Sequence, residues 1–256
     1  MKTVILCGGL GTRLSEETHI RPKPMVEIGG RPILWNIMKI YSNCGFSDFL
    51  CALGYKGEVI KDYFLNYHYR NGNVILNTLS GDLKVDKVPD ENWNISLIDT
   101  GQNTMTAGRL LRLKPYLENE DTFMLTYGDG VSNVDINKLL DFHRNHGKIA
   151  TVTAVRPPVR FGEMLIDSGK VYDFKEKPQV EAGWINGGFF VFNKGIFDYL
   201  IGDHVMLERE PMEKLVSDGE LMAYSHSDFW QCMDTIRDKE YLETLLKENK
   251  APWLKK

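Results

Sequence analysis

Near the start of the chain, a short apolar run leads directly into a glycine-rich loop, in the sequence Thr3-Val4-Ile5-Leu6-Cys7-Gly8-Gly9-Leu10-Gly11-Thr12-Arg13-Leu14. An apolar run of this length that ends at glycines is typical of a buried strand. Glycines let the backbone adopt a positive φ and approach a ligand closely, and successive N–H groups form a concave site for phosphate oxygens. The stretch therefore predicts a first strand whose carboxyl end carries a phosphate-binding loop. The alternative is a tight turn that simply requires glycine.

Beyond this loop, short apolar runs alternate with amphipathic segments. Helices are predicted at 33–41, at 59–67, after Thr106 and at Ile136–His146, and strands at 49–53, Thr122–Tyr127 and 149–155. Buried strands that alternate with helices imply βαβ crossovers. We therefore expect an α/β fold built on a largely parallel, Rossmann-like sheet with helices on both faces.

The sequence after Pro157 has a different pattern. Strand candidates lie at 165–166, 171–174, 188–192 and 221–224, and a last helix is predicted at 238–248. Residues 78–94 are polar and have no clear period, so we expect a loop there. No segment is poor enough in apolar residues to divide the chain. We expect residues 1–256 to form one α/β domain with a smaller mixed β region late in the sequence.

Composition narrows the classes of function. The 256 residues carry 31 Lys and Arg against 35 Asp and Glu, a net charge of −4, which argues against a nucleic-acid binder because such proteins present a dominant basic face. The four cysteines show no zinc-binding spacing and are expected to be small buried hydrophobes. The apolar start is too short for a signal peptide, and no later run reaches membrane-spanning length. A cytoplasmic protein without membrane contact is expected.

Two common nucleotide-binding motifs do not fit the glycine loop. It lacks the third glycine of the dinucleotide fingerprint, and the chain has no Gly-x-x-x-x-Gly-Lys-Ser/Thr sequence. Downstream, Arg21-Pro22-Lys23-Pro24 places a lysine between two prolines, which stiffen the backbone. Basic side chains near a glycine loop in an acidic protein favour an anionic ligand. The alternative for Lys23 is a solvated side chain in an exposed loop.

Two aspartates are candidates for binding a divalent metal ion. Asp129 follows the predicted strand Thr122–Tyr127 and lies between two glycines, where the alternative is a structural Asp-Gly turn. Asp234 follows an aromatic-rich segment, where the alternative is a helix N-cap. Mg²⁺ is usually held by one or two carboxylates together with phosphate oxygens and water.

The glycine loop, followed by Lys23-Pro24, resembles the signature of the sugar-1-phosphate nucleotidyltransferases, and the similarity extends over nearly the whole chain. Within that family, the members that use CTP and glucose 1-phosphate are the most similar, on the segments 94–109, Tyr127-Gly128-Asp129-Gly130, Arg160-Phe161-Gly162, Asn186-Gly187-Gly188-Phe189-Phe190 and Phe229-Trp230-Gln231-Cys232-Met233-Asp234-Thr235. The chain departs from the family at Cys7, where alanine is common, and at Ala107-Gly108, where relatives have two glycines.

The resemblance implies that a cytidylyl group moves from CTP to glucose 1-phosphate by Mg²⁺-assisted in-line attack on the α-phosphorus. It implies that Asp129 and Asp234 bind Mg²⁺ and that Arg13, Lys23 and Asp129 are the catalytic residues. The implied nucleotide-binding residues are Leu6, Cys7, Gly8, Gly9, Leu10, Gly11, Thr12, Arg13, Lys23, Thr104, Arg109 and Gly128. The implied sugar-phosphate-binding residues are Gly162, Glu176, Lys177, Asn186 and Gly187. A homo-oligomer is implied in the same way.

Alternatives stay open for several of these residues and for the function. Without the resemblance, residues 100–109 are a helix-capping loop, Glu176-Lys177 is a surface turn and Gly162 is a bulge. Physical reasoning from the sequence does not separate a cytosine pocket from a uracil pocket. Uridylyl-, thymidylyl- and guanylyltransferases of the same fold are therefore alternatives, as is a nucleotide-sensing module without catalysis. Such a module is expected to have lost Lys23 or Asp129, and both are present.

Overall fold

A computed structural model of the protein describes residues 1–87, 89–157, 163–167, 170–175 and 183–255. The strands are β1 (Thr3–Cys7), β2 (Glu27–Ile28), β3 (Arg31–Pro32), β4 (Asp48–Leu53), β5 (Asn73–Leu76), β6 (Leu83–Asp86), β7 (Asn94–Asp99), β8 (Thr122–Tyr127), β9 (Gly130–Ser132), β10 (Ala150–Val155), β11 (Glu163–Asp167), β12 (Lys170–Lys175), β13 (Ile185–Asn193), β14 (Leu221–His226) and β15 (Trp230–Cys232). The helices are α1 (Ser15–Thr18), α2 (Ile33–Asn43), α3 (Gly57–Leu65), α4 (Tyr67–Asn71), α5 (Thr106–Arg112), α6 (Ile136–His146), α7 (Glu210–Ser217) and α8 (Ile236–Lys247).

Within the described residues, a sheet of seven strands in the order β14-β10-β13-β8-β1-β4-β7 forms the centre of the molecule. All neighbouring pairs are parallel except those of β13, which runs antiparallel to both β8 and β10. The carboxyl ends of β1 and β8 and the beginning of β13 therefore meet at one edge of the sheet. Ligands of open α/β sheets bind at the edge where the strands carry their carboxyl ends, so this edge is where the site is expected.

Successive side chains of the buried strands point to opposite faces of the sheet, and each face carries its own core. Ile5 and Cys7 of β1 belong to the cluster that packs under α2 and α6, whereas Val4 and Leu6 belong to the cluster on the α5 side. Burial on both faces explains why these strands show as continuous apolar runs in the sequence. Cys7 and Cys51 are buried, as predicted for small apolar side chains, whereas Cys44 and Cys232 are only partly buried.

Most of the predicted elements are present, and the α/β fold with a largely parallel sheet is confirmed. β1, β8 and α6 have the predicted bounds, and β10 and α8 differ from the prediction by one or two residues. The predicted helix at 59–67 is divided in two, because α3 ends at Leu65 and α4 begins at Tyr67, with Asn66 between them. The late strands β13 and β14 join the central sheet, while β11 and β12 pair only with each other.

The predicted loop at 78–94 is wrong in part. β5 and β6 form an antiparallel hairpin, and β7, which starts at Asn94, pairs with β4 at the edge of the central sheet. Val74, Ile75 and Leu76 are 45%, 57% and 55% exposed, so the hairpin lacks the alternation of buried and exposed side chains on which strand prediction depends.

Within the part of the chain that the structure describes, no helix has the length and apolar character needed to cross a membrane.

Candidate functional site

The glycine loop lies at the carboxyl end of β1, as predicted, and its conformation depends on Gly11. Gly11 has a φ of +63°, in the left-handed region, and precedes a 3₁₀ turn at Thr12–Leu14. A Cβ at this position would lie 2.7 Å from Cγ2 of Thr18 and 3.2 Å from Cβ of Lys23. Glycine is therefore required both by the backbone angle and by the close approach of the two neighbouring side chains.

Gly8 is required for a different reason, because the guanidinium of Arg109 fills the space beside it. A Cβ on Gly8 would lie 2.1 Å from Cζ of Arg109, and a Cβ on Gly54 would lie 2.4 Å from an Arg109 nitrogen. Arg109 is only 4% exposed, and burial lowers the pKa of its guanidinium. The absence of side chains at the two glycines leaves a slot for this cation.

The Arg109 guanidinium donates hydrogen bonds to three separate segments of the chain. Its acceptors are the carbonyl oxygens of Gly8 (3.0 Å), Leu53 (2.9 Å), Gly101 (2.8 Å) and Gln102 (3.2 Å), and the hydroxyl of Thr100 (2.8 Å). A planar fork of five N–H donors suits such a set of acceptors. Arg109 therefore joins the start of the glycine loop to the end of β4 and to the loop that precedes α5.

Lys23 is buried, so the solvated alternative for this residue is wrong. It begins a 3₁₀ turn, with Pro22 extended before it and Pro24 inside the turn. Its Nζ donates to Oδ2 of Asp129 and to Oδ1 of Asp234, each at 2.5 Å. Burial alone would lower the pKa of Lys23, but the charges and hydrogen bonds of the two carboxylates outweigh it and raise that pKa. Lys23 is thus a cation held between two carboxylates.

Strand pairing explains how Asp234 reaches Asp129 across more than a hundred residues of sequence. β9 pairs antiparallel with β15, with Gly130 opposite Cys232, and the amide of Met233 donates to the carbonyl oxygen of Asp129 at 2.8 Å. Each strand is flanked by one of the two aspartates. Because both carboxylate oxygens lie 2.5 Å from the same nitrogen, they are at most twice that distance, about 5 Å, from each other.

The N-cap alternative for Asp234 is wrong. Thr235 caps α8 instead, because its hydroxyl accepts from the amide of Asp238 while the Asp238 carboxylate accepts from the amide of Thr235. This reciprocal pair is a capping box. The Asp234 carboxylate is left to face Lys23 and Arg13, whose guanidinium nitrogen lies 2.5 Å from Oδ2. That contact is on a largely exposed arginine, so it contributes little to stability.

Two adjoining cavities open at this edge of the sheet. The first, of about 310 Å³, is lined by Leu6, Cys7, Gly8, Gly9, Gly11, Thr12, Arg13, Lys23, Pro24, Thr104, Met105, Thr106, Arg109, Tyr127, Gly128, Asp129 and Asp234. The second, of about 270 Å³, is lined by Arg13, Thr126, Tyr127, Asp129, Gly130, Asn186, Gly187, Gly188, Phe189, Trp230, Cys232 and Asp234. Arg13, Tyr127, Asp129 and Asp234 line both cavities, so the carboxylate pair lies where the two meet.

The structure brings most of the predicted residues together. All the predicted nucleotide-binding residues except Leu10 line the first cavity; Leu10 lies in the loop with its side chain 53% exposed. Asn186 and Gly187 line the second cavity because β13 runs antiparallel and starts at this edge. The predicted sugar-phosphate residues Gly162, Glu176 and Lys177 lie outside the described residues.

Several residues of the site were missed by the sequence analysis. Tyr127 lines both cavities, and Trp230 donates from Nε1 to the carbonyl oxygen of Gly187 at 2.7 Å in the second cavity. The position of Tyr127, two residues before Asp129 at the end of a strand, was a signal that pointed to it. Nothing in the sequence indicated that Trp230 would lie beside Gly187, because the two are in separate strands that do not pair.

The donor set suits a hard divalent cation that also binds ligand oxygens. Among the described residues, no three His, Cys, Asp or Glu side chains group together as a metal site. Two carboxylates within about 5 Å of each other, next to an open cavity, match the way proteins hold Mg²⁺, with the remaining positions taken by phosphate oxygens and water.

A known protein family matches this chain over most of its length. The sequence profile described as nucleotidyl transferase matches residues 2–243. The chain belongs to the nucleotidyl transferase family. Among curated members, it is 52% identical over 253 residues to glucose-1-phosphate cytidylyltransferase of Salmonella typhi, covering 99% of this chain and 98% of the relative. It is 44% identical over 254 residues to a probable glucose-1-phosphate cytidylyltransferase of Bacillus subtilis, covering 99% of both chains.

Two solved structures share this fold. A putative glucose-1-phosphate thymidylyltransferase from Bacillus anthracis superposes with a TM-score of 0.70 at 18% identity, covering 97% of this chain and 96% of that one. HddC from Yersinia pseudotuberculosis also gives 0.70 at 23% identity, covering 96% and 99%. At these identities the similarity supports the fold alone. The family match over residues 2–243 and the curated relatives at 52% and 44% identity confirm, at the level of the family, the resemblance predicted from the glycine loop and Lys23-Pro24.

Proposed function

We propose that the protein transfers a cytidylyl group from CTP to α-D-glucose 1-phosphate, giving CDP-glucose and pyrophosphate. The observation that carries the reaction class is the carboxylate pair at the junction of two cavities, each of which can accept one substrate. The choice of cytosine and glucose rests on the similarity to relatives that are named for that reaction.

The first cavity suits a triphosphate. The glycine loop supplies backbone N–H groups, and Arg13 and Lys23 supply positive charge beside it. Lys23 is already desolvated, so its attraction for phosphate oxygens is stronger than it would be in water. Thr104 lines the same cavity and is proposed to contact the nucleotide. Arg109 is proposed to act on the nucleotide indirectly, by holding the start of the glycine loop through its hydrogen bond to the carbonyl oxygen of Gly8.

Mg²⁺ is the proposed cofactor, and Asp129 and Asp234 are the residues that would hold it. Both offer hard oxygen ligands, and both already share one cation, the Lys23 ammonium. When bound, a divalent ion neutralises triphosphate charge and fixes the orientation of its oxygens. With the two carboxylates neutralised in this way, Lys23 would be available to pair with the phosphates. Its position in the first cavity, beside the two carboxylates, suits charge that develops on the triphosphate during transfer.

The second cavity suits the sugar phosphate. Asn186 offers an amide with donors and an acceptor, and Gly187 leaves the backbone bare. Gly162, Glu176 and Lys177 complete the proposed sugar-phosphate site. A phosphate oxygen of the sugar forms a bond to the α-phosphorus of CTP as the bond to pyrophosphate breaks. Because that oxygen is anionic near neutral pH, no general base is needed, and positioning with charge stabilisation supplies the catalysis.

The test is pyrophosphate release from each of the four nucleoside triphosphates, with glucose 1-phosphate and with or without Mg²⁺. We expect release with CTP and Mg²⁺ and little with the other three nucleotides. Asp129→Asn and Asp234→Asn are expected to lose at least about a hundredfold in kcat, because each removes a charge that the triphosphate complex needs, while thermal unfolding shows that the fold is retained. Wild-type turnover in both variants would contradict the proposal.

The same assay decides between the alternatives. Release with UTP, dTTP or GTP in place of CTP would identify a uridylyl-, thymidylyl- or guanylyltransferase on the same fold. Nucleotide binding without release would favour a sensing module. Lys23 and Asp129, which such a module is expected to lose, are present and in contact. Assembly as a homo-oligomer stays a prediction.

A further inference from the structure

Glu208 lies in the segment that precedes α7 and contacts two residues that line the cavities. It is half-buried, and its carboxylate accepts a hydrogen bond from the hydroxyl of Tyr127 at 2.6 Å and from the hydroxyl of Thr106 at 2.7 Å. Tyr127 lines both cavities and Thr106 lines the first. One carboxylate therefore contacts the walls of both proposed substrate sites.

The segment that carries Glu208 is held in place by the main chain. The amide of Met105 donates to the carbonyl oxygen of Asp203 at 2.8 Å, and the amide of Leu207 donates to the hydroxyl of Thr106 at 2.8 Å. These bonds attach the segment to the first turn of α5. The position of Glu208 is thus determined by backbone contacts that do not involve its own side chain.

From Glu208, a chain of hydrogen bonds runs through Tyr127 and Asn186 to Gly188, and each bond in it has one donor and one acceptor that cannot exchange roles. An ionised carboxylate only accepts, so the Tyr127 hydroxyl donates to Glu208 and its oxygen accepts from Nδ2 of Asn186, at 3.0 Å. At the other end, the amide of Gly188 only donates, and it donates to Oδ1 of Asn186 at 2.8 Å. Both ends fix the Asn186 side chain in one of its two amide orientations.

The packing around Tyr127 leaves little room for a different arrangement. Gly188 has a φ of +78°, and a Cβ there would lie 2.6 Å from the Tyr127 ring. Asn186 itself is exposed to the second cavity. The donor and acceptor pattern that a sugar meets at this amide therefore depends on a residue that is not part of the cavity lining.

We propose that Glu208 is a positioning residue that sets the hydrogen-bond pattern offered to the sugar by fixing Tyr127 and, through it, Asn186. This inference rests on the proposed function. Glu208 does not touch the reacting groups. It supplies the terminal acceptor without which the Tyr127 proton would turn toward Asn186 and oppose its Nδ2–H donor.

Steady-state kinetics on three single variants test the inference. Tyr127→Phe removes the middle link and keeps the ring, and Glu208→Met removes the acceptor and keeps the length of the side chain. Each is expected to raise KM for glucose 1-phosphate about tenfold, the effect of one misdirected hydrogen bond, and to raise KM for CTP by a smaller factor, because Tyr127 and Thr106 also line the first cavity. Glu208→Gln keeps an oxygen that can accept from Tyr127, so its KM is expected within about threefold of wild type.

A double variant separates positioning from simple loss of stability. If Glu208 acts through Tyr127, Glu208→Met combined with Tyr127→Phe is expected to raise KM for glucose 1-phosphate no further than Tyr127→Phe alone. Glu210→Gln, an exposed acid two residues away, is the matched control and is expected to behave as wild type. Thermal unfolding of every variant confirms that the protein compared is folded.

These experiments distinguish failure of the proposed function from failure of the proposed role of Glu208. Wild-type protein that releases no pyrophosphate from CTP and glucose 1-phosphate would overturn the proposed function. An active wild type whose KM for glucose 1-phosphate is unchanged in Tyr127→Phe, or changed equally with that for CTP, would overturn the role of Glu208 alone. Should Glu208→Met fail to fold, Tyr127→Phe and Glu208→Gln decide the question by the same criteria.

Discussion

At the scale of single residues, the site consists of charges that neutralise one another. The buried ammonium of Lys23 contacts Asp129 and Asp234, and Arg13 contacts Asp234 from the solvent side. Two half-buried carboxylates this close together would repel each other without a counter-ion. Lys23 supplies that counter-ion, so the same side chain stabilises the ligand-free protein and is available to a triphosphate.

Lys23, Asp129 and Asp234 could be predicted from the sequence, whereas the structural role of Arg109 could not. The two aspartates follow strands or aromatic segments, and Lys23 lies between prolines, so local patterns pointed to each. The acceptors of Arg109 come from residue 8, residue 53 and residues 100–102. Only the folded sheet brings these segments together.

The contacts of Arg109 predict a loss of stability on substitution by lysine. Arg109→Lys keeps the charge, but an ammonium has three donors and lacks the planar fork. It cannot reach all five acceptors, so we expect the free energy of unfolding to fall by about 2 kcal/mol. Urea denaturation followed by circular dichroism measures the change.

Arg112, one turn further along α5, is the control for this substitution. Its guanidinium pairs with Asp203 at the surface, and surface ion pairs contribute little. Arg112→Lys is expected to change the free energy of unfolding by less than about 1 kcal/mol. Equal losses in the two variants would mean that the slot formed by Gly8 and Gly54 confers no special stability.

At the scale of elements, two properties decide what the sequence could predict: the burial of each strand and the direction in which it runs. The runs that form β1, β4 and β8 are buried on both faces, and α6 is amphipathic, so both kinds of pattern were visible. β7 and the β5–β6 hairpin are half-buried or exposed and leave no such pattern. The antiparallel direction of β13, which brings Asn186 to the site, depends on its partners and not on its own residues.

The packing of α6 on β10 and β13 predicts a dependence of stability on pH. His143 Nε2 lies 3.0 Å from Oδ1 of Asn193, and its Nδ1 lies 2.8 Å from the Thr151 hydroxyl, which also contacts His146 Nε2 at 2.7 Å. The amide of Lys148 donates to Nδ1 of His146. These contacts suit neutral imidazoles, and burial lowers the pKa of both histidines from the ordinary value of 6.5.

The sign of the effect follows from proton binding. Well above pH 6.5, the ordinary pKa of histidine, both histidines are neutral whether the chain is folded or not. Below it the unfolded chain binds more protons than the folded one, so we expect the free energy of unfolding to decrease as the pH falls, by at most about 1.4 kcal/mol per pH unit for each histidine. Urea denaturation between about pH 7.5 and about pH 5.5 covers the window in which a histidine titrates.

Glutamine substitutions identify the histidines responsible. The double substitution His143→Gln and His146→Gln is expected to flatten the pH dependence in this window, whatever it does to stability at neutral pH. His204→Gln, at an exposed position, is expected to leave the slope as in wild type. A double variant with the wild-type slope would assign the effect to other groups.

At the scale of the whole molecule, one edge of the sheet collects residues from six separate parts of the chain. The parts that meet there are the glycine loop, the Lys23 turn, the segment around the start of α5, the segment after β8, the start of β13, and β15 with the segment after it. The family similarity covers residues 2–243, which is why the arrangement could be anticipated by resemblance. Periodicity and spacing alone predicted the sheet and the glycine loop, but not which distant segments would complete the site.

The central claim is that one pocket uses backbone amides, Lys23 and the two aspartates to bind a metal–triphosphate complex. A crystal structure with CTP and Mn²⁺, with the ion located by anomalous scattering, tests it most directly. We predict an ion bonded to both Asp129 and Asp234, a triphosphate against residues 8–13, and the Lys23 ammonium moved onto phosphate oxygens. An ion bound elsewhere, or CTP away from the glycine loop with Lys23 still bridging the two carboxylates, would contradict the account.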